Sequence, residues 1–192
     1  MAELNAPIMG YIEIPNNMHL NQKTDSIEFE YSWFKIKYLT SLFAAPVFAF
    51  FLVKSEYITG SFNHFTIPVL LLVLASLLII YYSLAKVLNV TKIRVTHLAI
   101  KVAHSPIPLY KNLILKKENV TQLYVTKHRF GHRYYLYSTT YQINVILKNK
   151  DVITLVRGLH SPEQGRFIEN KIEDFLDITD AHVDGELTKG HL

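Results

Sequence analysis

The sequence predicts an α+β membrane protein: a two-helix transmembrane hairpin joined to an antiparallel β-sandwich or barrel that a C-terminal amphipathic helix closes. Three observations predict it. Residues 65–85, FTIPVLLLVLASLLIIYYSLA, carry no charge. The chain after them alternates apolar and polar residues with period two. Near the end, SPEQGRFIENKIEDFLDI places helix-start residues ahead of an apolar stripe.

The uncharged run of 21 residues reaches roughly 31 Å as a helix, against a hydrocarbon core of ~30 Å. Pro68 falls in its first turn, where a missing N–H costs little. Tyr81 and Tyr82 lie near its far end, where amphipathic rings favour the interface. The earlier run, residues 38–53, is YLTSLFAAPVFAFFLV, 16 residues with Pro46 near the middle. It reaches only ~24 Å. Snorkelling Lys35, Lys37 and Lys54 and the aromatic pair Trp33 and Phe34 extend it to a second expected span; an in-plane or re-entrant segment is the alternative. Trp33, Lys35, Lys37 and Lys86 are the expected interface anchors. Ala44, Ala45, Ala49, Ala75 and Ser76 are small enough for close helix packing.

Between the runs, KSEYITGSFNH reads as a connection of eleven residues. The twenty residues before the first run hold three Lys or Arg, the connection one, and the twenty after the second run four. The positive-inside rule then places both termini in the cytoplasm, in a multi-pass arrangement. The first thirty residues contain five acids and one lysine and no long apolar run, so insertion is expected to be driven by the later segments. Cysteine is absent, which excludes disulfides, Cys-ligated zinc, Fe–S clusters and thiol chemistry.

Residues 1–35 hold a hairpin, MHLNQ-KTD-SIEFEYSWF, in which Ile27, Phe29 and Tyr31 alternate. It feeds the membrane region, residues 36–88. Residues 89–178 form the cytoplasmic β domain. There Ile93 and Val95 alternate with Lys92 and Arg94, Ile100 and Val102 follow a turn at THLA, and SPIPLYKN breaks the ladder. Val120–Val125 is a strand whose buried phase is hard to choose. Residues 134–147 form a long strand, and KNKD turns into a partner containing Val152, Ile153 and Leu155. The helix, residues 161–178, has Ser161 as N-cap, Pro162 at the first position and Gln164 completing a capping box. Phe167, Ile168, Ile172, Phe175 and Leu176 form its apolar stripe, and Gly165 weakens it. Residues 179–192 read as a flexible tail.

Many short strands followed by one closing helix is the element order of a pleckstrin-homology-like module. With EYSWF before the first run, TKIRV after the second, then SPIP, NVTQLYV, GLHSPEQ and DGE at residues 184–186, the chain resembles a group of uncharacterised bacterial two-helix membrane proteins carrying such a domain. The resemblance covers roughly residues 18–186. It implies a bacterial inner membrane and the fold, and it brings no activity and no catalytic residue.

Charge is unevenly placed. Residues 86–150 hold 12 Lys and Arg against one acid, whereas residues 151–192 hold 4 against 9. The densest stretch is TKHRFGHRYY, residues 126–135. As a metal site it is poor: Gly131 separates His128 and His132, and no carboxylate is near. Basic and aromatic residues suit nucleic acid, yet no RNA or DNA motif is present and the patch sits on a tethered domain. The remaining readings are a solvated basic face and a surface for anionic lipid or a protein partner, formed by Lys116, Lys117, Lys127, Arg129, Phe130, Arg133 and Tyr134. Asn89-Val-Thr91 and Asn119-Val-Thr121 match the glycosylation pattern but carry no weight on the cytoplasmic side.

GxSxG, Walker A, HExxH, GxGxxG and DxDxDG motifs are all absent. The expectation is a non-enzymatic membrane protein with no catalytic residue, cofactor or metal, binding membrane lipid, a protein partner or a second copy of itself. A scaffold subunit of a larger membrane complex is the alternative, and an unrecognised membrane enzyme a third.

Overall fold

Short alternating runs divided by polar turns become strands on both sides of the apolar segment. The computed structural model describes residues 14–15, 17–59, 62–130, 138–179, 181 and 183–187. Among these residues the chain forms two antiparallel sheets and three α-helices. Met18–Lys23 (β1) and Ser26–Ser32 (β2) precede the apolar segment. Val90–Thr96 (β3), Ala99–Ser105 (β4) and Leu113–Lys116 (β5) follow it. Together they form one sheet in the order β1-β2-β3-β4-β5. The period-two residues Ile27, Phe29, Tyr31, Ile93, Val95, Ile100 and Val102 all face the core. On the other face, Glu30 pairs with Lys92 at 3.0 Å and Glu28 with Arg94 at 3.2 Å. These are directly opposed residues in the β2–β3 register. Being exposed, the pairs add little stability, but opposite charges favour this register over a slipped one.

The second sheet is Val120–Phe130 (β6), Ser138–Leu147 (β7) and Val152–Leu159 (β8), in that order. Residues 131–137, including Arg133 and Tyr134 of the basic stretch, lie outside the described residues. Lys150, at φ 68°, turns β7 into β8 where the KNKD turn is expected.

Pro162–Leu176 (α3) lies against the second sheet and β2. Ser161 Oγ accepts from the Gln164 N–H at 3.3 Å, as a capping residue should. The Gln164 side chain reaches back one residue further than a standard capping box, accepting from the His160 N–H at 2.9 Å. Phe167, Ile168, Ile172 and Leu176 are buried, and Phe167 meets Phe29 edge to face with ring centroids 6.2 Å apart. Gly165 is where the helix touches the sheet. A Cβ there would stand 2.9 Å from both Val125 methyls, so this glycine permits the close approach.

Past α3, the chain crosses the open edge of β6. Gln122 Nε2 donates to the Ala181 carbonyl, and the Leu187 N–H donates to the Val125 carbonyl at 3.0 Å. A turn at Asp184–Gly185, with Gly185 at φ 85°, sets up this strap. It covers backbone groups that an edge strand would otherwise present.

The apolar segment departs from the expected pair of spans. Ile36–Thr59 (α1) and Phe62–Leu88 (α2) are both helical, so the expected eleven-residue connection is mostly helix. Among the described residues, only one helix is long and apolar enough to cross a membrane: Val69–Leu88 within α2, 20 residues. The apolar part of α1, Ile36–Phe51, is too short. A transmembrane hairpin of two spans is therefore not the architecture found. Polar Lys54, Ser55 and Glu56 continue the helix, and helix length there exceeds apolar length. α1 instead packs along α2 at its base, where Ser41 and Ser83 hydroxyls are 2.8 Å apart and Tyr38 meets Tyr82 edge to face. Buried Ser83 and Ala85 mark that contact, while Ala44 and Ala75 are exposed.

Candidate functional site

β2 runs into α1, and α2 runs into β3, its neighbour in the sheet. All four ends therefore meet at one junction. The Trp33 N–H donates to the Asn89 carbonyl at 3.1 Å, extending the ladder beyond the Ser32–Val90 pair. The Trp33 indole is buried: its Nε1–H donates to Thr91 Oγ1 at 2.6 Å, and that hydroxyl lies 2.9 Å from His104 Nδ1. The ring also faces His104 and Tyr110, each at 5.4 Å between centroids.

Tyr110 arrives from the β4–β5 loop, the SPIPLYKN break. Buried Asn89 holds that loop with two bonds, donating to the Ile107 carbonyl and accepting from the Ile107 N–H, both at 2.8 Å. Asn112 Oδ1 accepts from the His104 N–H at 3.1 Å. The first sequon asparagine is thus a structural clamp.

Around this aromatic base the charge is all of one sign. The Lys86 ammonium stands over three rings: Trp33 at 4.6 Å, Tyr82 at 5.4 Å and Tyr110 at 5.5 Å. Such a cage is favourable for a partly desolvated cation. Lys35 and Lys37 flank the start of α1, with Lys37 over the Tyr38 ring at 5.2 Å. Burial, with Lys37 adding to it, lowers the Lys35 pKa from its ordinary value. His104 is lowered by burial and then by the Lys86 charge. His160, at the end of β8, is lowered by burial and then by Lys35, Lys37 and Lys86. Burial raises the Tyr110 hydroxyl, with Tyr82 adding and Arg157 opposing. Arg157 and His160 thus bring β8 into the same electrostatic neighbourhood as the two helix ends. Among the described residues, no carboxylate forms an ion pair with Lys35, Lys37, Lys86 or Arg157; the ion pairs lie at Glu28, Glu30 and Glu118.

The structure splits the basic surface that the sequence suggests. Lys116 is opposite Ala99, at the end of β4 remote from Ser105, which is opposite Val90. Seven-residue strands place Lys116 and Lys117 about 20 Å from the junction. There they line an open cleft of about 940 Å³ with Lys148, Leu176 and Asp177, and Lys116 pairs with Glu118 at 3.4 Å. Lys127 lies on the half of β6 that leads back toward the junction, since it is opposite Tyr141, which is opposite Leu159. Arg129 and Phe130 follow on that strand. Of the four expected anchors, Lys86 stands over the Trp33 ring, and Lys35 and Lys37 flank Ile36 at the start of α1.

Asn89, His104, Tyr110, Arg157 and His160 escaped sequence reasoning. The one available signal was the proline-broken loop, whose aromatic residue had to pack somewhere. Among the described residues, no group of three or more His, Asp or Glu is placed to hold a metal ion. No protein-family model matches the chain, and no curated protein matches it.

Proposed function

We propose that this chain is a non-enzymatic integral membrane protein, held in the bilayer by α2 with α1 packed along it, that presents its two-sheet module at the cytoplasmic face and engages anionic lipid there. One observation carries the reading: an exposed apolar helix stretch of bilayer length emerges from an unbalanced ring of cations. Val69–Leu88 is 20 residues long with only 11% of its most apolar window buried, unlike the core helix of a soluble domain. Leu70, Leu71, Leu77 and Leu78 are each more than half exposed. In water so large an apolar face would drive association; in lipid it is solvated. Lys35, Lys37 and Lys86 lie where the headgroups would begin, and each basic residue near an anionic leaflet contributes about 1 kcal/mol. The pleckstrin-homology-like resemblance is compatible with a module that binds surfaces, and its bacterial setting supports an inner-membrane location.

The test is alkaline carbonate extraction of the full chain from membranes. The expected result is retention in the membrane pellet. Leu77→Arg with Leu78→Arg, at the centre of the stretch, adds about 2.5–3.5 kcal/mol per charge to insertion and should release the chain. Release of the unmodified chain by carbonate overturns the reading.

A further inference from the structure

We propose that the junction binds a phosphate group, gripped by Lys35, Lys37 and Arg157 beside the caged Lys86. The inference rests on the membrane reading above and deepens it by naming a site and a ligand chemistry.

Lys35 and Lys37 stand at the start of α1 and Lys86 near the end of α2, which meet where β2 and β3 pair; Arg157 of β8 is near enough to act electrostatically on Tyr110, whose ring lies under the Lys86 ammonium. Folding has brought like charges together where no carboxylate among the described residues offsets them. The other basic cluster, in the remote cleft, is unlike this one because it contains Glu118 and Asp177. The junction is also built rather than incidental. Trp33 is fixed by Thr91, the Tyr110 loop is fixed by Asn89, and the three rings fix Lys86. An anion arriving there meets the Lys86 ammonium already held by its three rings, so that donor requires little ordering. Arginine presents a planar fork that suits phosphate oxygens, and lysine ammoniums add point charge. Burial and then the charges of Lys35, Lys37 and Lys86 lower the His160 pKa, and an anion compensating those charges would relieve the second cause. The site lies where α2 leaves its apolar stretch, at headgroup depth. A lipid phosphate is therefore the nearest source, and a soluble phosphate compound is the other.

The experiment uses the full chain in phosphatidylcholine nanodiscs, with and without a minor fraction of phosphatidate, and reads bound lipid by native mass spectrometry. Phosphatidate should be enriched at the protein. Lys37→Gln and Arg157→Gln, both at exposed side chains, should each reduce that enrichment about fivefold. Lys116→Gln with Lys117→Gln, in the remote cleft, should leave it unchanged. A parallel arm adds inorganic phosphate to chain in neutral nanodiscs and compares thermal unfolding with chloride at equal ionic strength. Stabilisation there without phosphatidate enrichment assigns a soluble phosphate. No response in either arm overturns the site, as does equal loss in the remote-cleft variant, which would mean diffuse attraction. Incorporation into neutral nanodiscs reads the anchor separately. If incorporation fails, the phosphate arm in detergent still decides the site.

Discussion

His104 and His160 show how a charged junction acts on single residues. Burial lowers both, and nearby lysines lower them further: Lys86 for His104, and Lys35, Lys37 and Lys86 for His160. The unfolded chain, with ordinary values near 6.5, therefore takes up protons at a higher pH than the folded chain does. Their contribution to stability is complete above that value and declines as pH falls from it toward the depressed folded values. Thermal unfolding of the full chain in neutral lipid should shift to lower temperature between pH 7 and pH 5. The shift should be smaller in a His104→Asn, His160→Asn variant; an equal shift in both chains contradicts the assignment. Much at this scale was legible. Trp33, Lys35, Lys37 and Lys86 stand out because they flank the apolar runs. Tyr110 and Asn89 did not, because their roles depend on how a proline-broken loop folds back on the sheet.

At the scale of elements, α3 and β6 explain each other. Gly165 weakens a helix in isolation, but here it lets α3 settle onto Val125. Gly165→Ala gains about 1 kcal/mol of helix propensity and meets an overpacking cost of about 1–3 kcal/mol. A net loss of about 1 kcal/mol in chemical unfolding is expected. Val125→Ala should cost less in that background than alone, and strict additivity would show that the two side chains do not compete. β6 was hard to phase from sequence for a related reason. Gln122, Leu123, Tyr124 and Val125 are all buried, since the strand carries a register shift between Val120 and Gln122, and α3 and the C-terminal strap both pack on it. Alternation is lost when both faces are covered. β2, β3 and β4 keep one face in solvent, and their buried residues were readable by eye. Two spans were expected because flanking Lys35, Lys37, Lys54, Trp33 and Phe34 were counted as extending the short first run. Among the described residues, only α2 carries an apolar stretch long enough to cross; that of α1 ends at Phe51, and α1 packs against α2.

For the whole molecule, the central fact is that β2 and β3 are neighbours although more than fifty residues separate them in the chain. A fragment beginning at Lys86 would lack β1 and β2 and leave β3 as a bare edge, so the two-sheet part cannot be obtained by simple truncation. Sheet closure must also wait until α2 has been made, and such long-range pairing slows folding. The Ser32–Val90 pairing has a more practical corollary. Topologically, residues 33–89 are an excursion inserted into what would otherwise be an ordinary tight reversal. Excising residues 34–88 and joining Trp33 to Asn89 through Asn-Gly keeps the Trp33 and Asn89 contacts and should restore that reversal. The product should be a detergent-free, cooperatively melting miniature with near-native strand content by circular dichroism, while a noncooperative melt would mean that the helices hold the sheets together. The greasy pair would then be a detachable graft, and the junction its scar.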